Sequence, residues 1–203
     1  MESYLQRWQT LFNPFCPAQK SQQHYFALFN AYAQGHRVYH NFQHIIACLE
    51  HFDQVREQLA DPLAVELALW FHDVIYQPTS GHNEENSADY AAVCLQELNV
   101  PEVVQNRVRE LILLTRHPSV PRNNDEALLL DIDLAILGAP RSLYAAYESW
   151  IRKEYRFIPG FLFRPARRKL LKQLLAAPIY HSEYFAIREA VARENLHWAL
   201  QSL

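Results

Sequence analysis

Along most of the chain apolar residues return every three or four positions, as at Leu63, Leu67, Trp70 and Phe71 and again at Val104, Val108, Leu111 and Ile112. That spacing lines one face of a helix. Alternation of the strand kind is scarce. The punctuation agrees: Asp61-Pro62 reads as an N-cap followed by a first-turn proline, Pro101 opens the segment from Glu102, and Gly35 and Gly138 each follow an apolar run. The pattern predicts helices over 2–12, 20–34, 41–59, 62–76, 84–98, 101–116, 125–137, 142–155, 165–176 and 182–201. An all-α fold follows. No internal repeat, low-complexity stretch or linker interrupts the pattern, so residues 1–203 are expected to form a single helical domain.

Composition narrows the function classes. With 50% hydrophobic residues in 203, the chain can bury a substantial core. Its most apolar stretches carry Glu66, His72, Asp73, Asp131 and Asp133, far short of the roughly 18 clean residues of a membrane span, so no membrane partner is expected. The opening Met1-Glu2-Ser3-Tyr4 has neither the basic start nor the apolar run of a leader, which places the expectation in the cytoplasm. A net charge of −3 argues against a stable nucleic-acid partner, and only four glycines leave no Gly-rich phosphate loop. Cys16, Cys48 and Cys94 form no Cys-x-x-Cys pair and read as reduced core thiols. A homo-oligomer is left open.

The candidate chemistry lies in the histidines, ten in all. Tyr39-His40-Asn41-Phe42-Gln43-His44 sets two imidazoles four residues apart, neighbours on one face if that turn is helical. His72-Asp73 ends the apolar segment Leu67 to Phe71. Burying such a pair without partners costs several kcal/mol, and a divalent cation is one partner that offsets the cost. Asp131 and Asp133 stand inside a third apolar helix, Leu128 to Leu137. Residues two apart on a helix differ by about 200° of rotation, so one of these carboxylates, not both, faces a common point. Two imidazoles and two carboxylates from three helices make a mixed N/O set suited to one divalent ion among Mn, Fe, Co, Ni, Zn and Mg.

This ordered set resembles the signature H…HD…D of the HD-domain superfamily of metal-dependent phosphohydrolases. The stretches YHNFQH, LALWFHDVIY, NEENSA, LLLDIDLAILG, IRKEY and ARENL look most like a bacterial group of small HD phosphohydrolases, over about Tyr39 to Leu196. The resemblance implies an HD-like helical bundle with His44, His72, Asp73 and Asp133 as metal ligands, Asp131 being the alternative to Asp133. It also implies a phosphoester substrate, of a nucleotide or a related small metabolite. Tyr-His-Asn-x-x-His is similar to the opening of the cyclic-nucleotide phosphodiesterase site, which gives His40 the role of proton donor. Those enzymes follow His-Asp with His-Pro-Gly, whereas Val74-Ile75-Tyr76 follows here.

Glu84 or Glu85, in the acidic first turn after Gly81, is the candidate general base; capping that helix is the plainer role for either. His117 is a candidate substrate contact or further ligand. Residues 141–172 hold nine Lys/Arg against two acids, Glu148 and Glu154. If helix runs through Pro165, Arg164, Arg168 and Lys172 share a face that could grip a phosphate. Two other readings share the ligand set: an HD-type di-iron oxygenase, which needs further histidines such as His82 or His117, and an idle phosphate-binding regulatory module.

Overall fold

The computed structural model describes residues 2–116 and 118–203. Eleven α-helices follow one another: α1 (Glu2–Phe12), α2 (Ala18–Tyr32), α3 (Phe42–Val55), α4 (Pro62–Phe71), α5 (Asn83–Glu97), α6 (Glu102–Leu114), α7 (Asn124–Asp133), α8 (Arg141–Glu154), α9 (Gly160–Leu175), α10 (Glu183–Ala186) and α11 (Glu189–Ser202). Short 3-10 turns extend α3 over Arg56–Gln58 and α7 over Leu134–Gly138. No strand occurs among the described residues. The fold is all-α, and one apolar cluster takes side chains from every helix, from Trp8 to Ala199.

At the centre is α4. Every residue from Ala64 to Phe71 is buried, and its one acid, Glu66, is paired with Arg7 of α1 at 2.6 Å. The helix starts as the Asp61-Pro62 pattern requires, with the Asp61 carboxylate accepting the Ala64 N–H. α3 and α7 pack on it and on each other, so three apolar helices meet where α4 ends.

Several predicted helices stop or break early, α3 among them at Val55 rather than 59, and at α4 and α7 residues distant in sequence take over the backbone. α4 ends at Phe71 rather than 76. The buried Arg37 guanidinium donates to the carbonyls of His40, Asp73 and Val74, and the Ser87 hydroxyl bridges the N–H and C=O of Ile75. α7 passes into its 3-10 turn at Leu134. That turn is held by Asn195, which donates to the carbonyls of Leu137 and Ala139, and by the Tyr180 hydroxyl, which accepts the Gly138 N–H. A Cβ on Gly138 would stand 2.8 Å from both Arg188 Cβ and Tyr180 Oη, so this glycine allows the contact with the α10–α11 corner. The predicted helix 182–201 divides there, at Ile187 and Arg188. The remaining difference is an extension: α9 starts at Gly160 rather than 165, which puts Pro165 inside the helix.

Asp131 belongs to this framework. It is fully buried, and its carboxylate accepts the N–H groups of His181 and Ser182 and the Ser182 hydroxyl at 2.6–3.1 Å. Removing it strands these buried donors, at about 3 kcal/mol. Asp131→Ala is therefore expected to lose about that much unfolding free energy in a denaturant titration, and Asp131→Asn distinctly less because an acceptor oxygen is kept.

Candidate metal centre

Each member of the candidate ligand set sits at a helix end. His44 is in the first turn of α3, which Asn41 caps by accepting the Gln43 N–H. His72 is the C-cap of α4, Asp73 follows it, and Asp133 is the last residue of α7. These ends meet. The Nε2 atoms of His44 and His72 are 3.1 Å apart, and Asp133 Oδ1 lies 3.2 and 3.3 Å from them. Asp73 Oδ2 lies 3.7 and 3.4 Å from the same two nitrogens. Donor atoms that surround one ion at about 2.1 Å stand roughly 3.0–3.4 Å apart at octahedral to tetrahedral angles; all of these separations but that of Asp73 from His44 fall in this range.

The protonation chemistry fits a cation as well. His72 Nδ1 faces the Leu69 carbonyl at 3.0 Å, so it carries the ring proton and leaves the Nε2 lone pair aimed at the cluster. Two imidazole lone pairs facing at 3.1 Å repel unless a proton or metal ion lies between them. Burial disfavours a charged His72, yet the Asp73 and Asp133 carboxylates hold its pKa well above the usual value. Burial acts in the opposite sense on Asp73, where His72, His40 and His44 outweigh it and hold the carboxyl far below its usual range. The pocket is built around a positive charge.

Cys48, one turn along α3, completes a group of His44, Cys48, His72 and Asp133 whose donor atoms all lie within 4.8 Å of one another and could hold a metal ion. Its Sγ stands 3.8 Å from both ring nitrogens of His44, against the ring rather than along one lone pair. Burial, then Asp133 and Asp73, push its thiol pKa well up and keep it protonated. The sequence reading placed Cys48 among the core thiols; it is buried, but at the cluster.

His40 precedes the α3 N-cap, so it shares no helical face with His44. Its position comes from Glu154, at the end of α8. One Glu154 oxygen accepts the consecutive N–H groups of Val38, Tyr39 and His40 at 2.8–2.9 Å, and the other meets His40 Nδ1 at 2.7 Å. The His40 ring also stacks on Tyr76 at 4.2 Å. Burial works against the charged ring, but the hydrogen bond to Glu154, with Asp73 close by, raises the His40 pKa. Glu154 itself is lowered to about 2, the His40 bond and charge outweighing its burial. The sequence reading missed Glu154. The available signal was an acid within a strongly basic stretch.

Two cavities, of about 700 and 530 Å³, flank the cluster and share Tyr39, Asp133 and Ile136 in their walls. His44 and Cys48 line the larger, and His40 and Glu84 the smaller. Glu85 instead pairs with Arg116. His82 is exposed at the start of α5, and His117 lies outside the described residues.

The proposed phosphate grip is not brought to the cluster. Arg164, Arg168 and Lys172 are exposed on α9 and line neither cavity, because the inward face of α9 presents Phe163, Arg167 and Leu170. Arg167, which does reach the smaller cavity, is bound to Glu148 at 2.7 Å and to the Tyr147 hydroxyl at 3.2 Å. No helix among the described residues is long and apolar enough to cross a membrane. No family model, curated protein or solved structure matches the chain.

Two outcomes are expected. The purified chain holds about one divalent ion. His72→Ala, Asp73→Ala and Asp133→Ala lose most of it while Asp131→Ala keeps it; full occupancy in the first three by elemental analysis would remove the assignment. The second concerns Glu154, whose folded pKa lies below the unfolded value, so its stabilisation is complete above about pH 4.5 and fades as pH falls toward 2. The stability gap between wild type and Glu154→Gln, followed by urea unfolding at several pH values, should narrow below pH 4.5 and be constant just above it.

Proposed function

We propose that the chain is an HD-type metal-dependent phosphohydrolase. The observation that carries this reading is the convergence of His44, His72, Asp73 and Asp133 at 3.1–3.7 Å, in the order H…HD…D along the chain. These residues would hold a divalent ion, which supplies Lewis acidity toward water and a phosphoryl oxygen.

The protein's own groups then divide the proton transfers. Water attacks phosphorus as the ester P–O bond breaks, so one proton leaves the water and one must reach the departing oxygen. Glu84, in the cavity wall with His40 and Asp133, takes the first. His40 gives the second from Nε2: its Nδ1 is committed to Glu154, a bond that raises its pKa and favours the protonated ring. Glu154 thus acts through His40 as a positioning residue, and Arg37 ties the His40 loop to the Asp73 turn.

A panel of phosphomonoesters and phosphodiesters, assayed with Mn, Co, Ni, Zn and Mg, tests the reading. Turnover that a chelator abolishes is expected. His40→Ala should lower kcat roughly 100-fold with metal content unchanged, the usual scale for a lost general acid. Glu154→Gln should lower it less and move the alkaline limb of the pH profile down. A fully metal-loaded protein that turns over nothing in the panel would contradict the assignment.

A further inference from the structure

The larger cavity extends well beyond the four donors. His44, Cys48 and His51 follow one another at i, i+4 and i+7 along α3 and all line it, so its floor runs two helical turns, about 10 Å, away from the cluster. The facing wall is apolar, formed by Ile132, Ala135, Leu143 and Trp150 among others. At the far end stands Arg188, at the corner where α10 gives way to α11.

Arg188 differs from the guanidinium that lines the smaller cavity. Arg167, in the smaller cavity, is neutralised by Glu148. Arg188 lies over the Phe185 ring at 5.1 Å, and no side-chain ion pair is found for it among the described residues. His51 packs on the same Phe185 ring at 5.6 Å, and its Nδ1 is buried without a hydrogen-bond partner. A cation in the cavity wall with no side-chain ion pair among the described residues is a recognition point for an anion. Burial and the Arg188 charge depress the His51 pKa, which agrees with their proximity.

We propose that this cavity takes an elongated substrate whose apolar body spans the wall between the cluster and a second anionic group, a carboxylate or phosphate, held by Arg188. The identity of the reacting end as a phosphoester rests on the phosphohydrolase reading; the anion subsite does not. Substrates with a compact polar body and no second anion leave both the apolar wall and Arg188 unused.

The test uses the chain as purified and two probes of one shape, 2-naphthoate and its neutral amide, 2-naphthamide, with calorimetry as the readout. Wild type is expected to bind the carboxylate about tenfold more tightly than the amide, a factor that one charge-assisted hydrogen bond supplies. Arg188→Met, which keeps an apolar stem over Phe185, should abolish the preference, and Arg188→Lys should keep part of it; thermal melts check that both are folded. Inorganic phosphate and 2-naphthyl phosphonate, run beside them, tell a phosphate-seeking end from a carboxylate-seeking one. No preference in wild type, or one that survives Arg188→Met, overturns the subsite. If the preference behaves as expected while 6-carboxy-2-naphthyl phosphate is not hydrolysed with any metal, the subsite stands and the phosphohydrolase reading falls.

Discussion

The arrangement depends on two imidazole nitrogens held 3.1 Å apart, with two carboxylates beside them, where three apolar helices meet. Such a group needs a proton or a cation between its members, and burial magnifies both the repulsion and its relief. The helices are arranged to supply the donors without supplying the charge. α4 and α7 both terminate at the cluster, so the partial negative charge of two helix C-termini adds to that of Asp73 and Asp133. The nearest cationic side chains are engaged elsewhere: Arg37 with backbone carbonyls, Arg167 with Glu148. The cluster could hold a cation, since neither of these arginines fills it.

The helices were legible in the sequence because their apolar spacing is local, and their ends were not because the groups that end them are remote. Nothing in Leu67 to Tyr76 announces that Arg37 and Ser87 take the carbonyls and N–H groups that would continue α4. Likewise the close packing at the break near Arg188 depends on Gly138, some fifty residues earlier, having no side chain. In each case a long-range hydrogen bond or close contact overrides a local pattern that would extend the helix. The early endings are also where the candidate cluster forms, since an uninterrupted α4 would turn His72 and Asp73 in sequence around a helix rather than toward one point.

The ligand set could be read from residue types and order, whereas the residues that orient it could not. Glu154 and the basic residues of 141–172 illustrate the difference. A stretch dense in Lys and Arg suggests a phosphate grip, yet Arg164, Arg168 and Lys172 face water, where charges are cheapest to keep. The two acids in the stretch turn inward, Glu148 onto Arg167 and Glu154 onto His40 and three backbone N–H groups. A minority charge within a run of the opposite sign is the more informative residue. Its own sequence neighbours already offer it solvent-exposed partners, so a buried role needs another cause.

The two aspartates of α7 show how one helix serves the fold and the site together. Because they are two residues apart, Asp131 turns to the backbone at His181 and Ser182 while Asp133 turns to the imidazoles. The first anchors the segment leading into α10 and α11, and α11 returns to hold the 3-10 turn that follows Asp133 through Asn195. The position of Asp133 is thereby fixed from both sides, by the helix before it and by the C-terminal helices after it. The same C-terminal corner carries Arg188 into the larger cavity. One mechanical unit, α7 with its 3-10 turn clamped to α11, therefore sets the distance between the metal donors and the far end of that cavity. Changes to the clamp at Tyr180 or Asn195 act on both ends of the site, although neither residue lines that cavity.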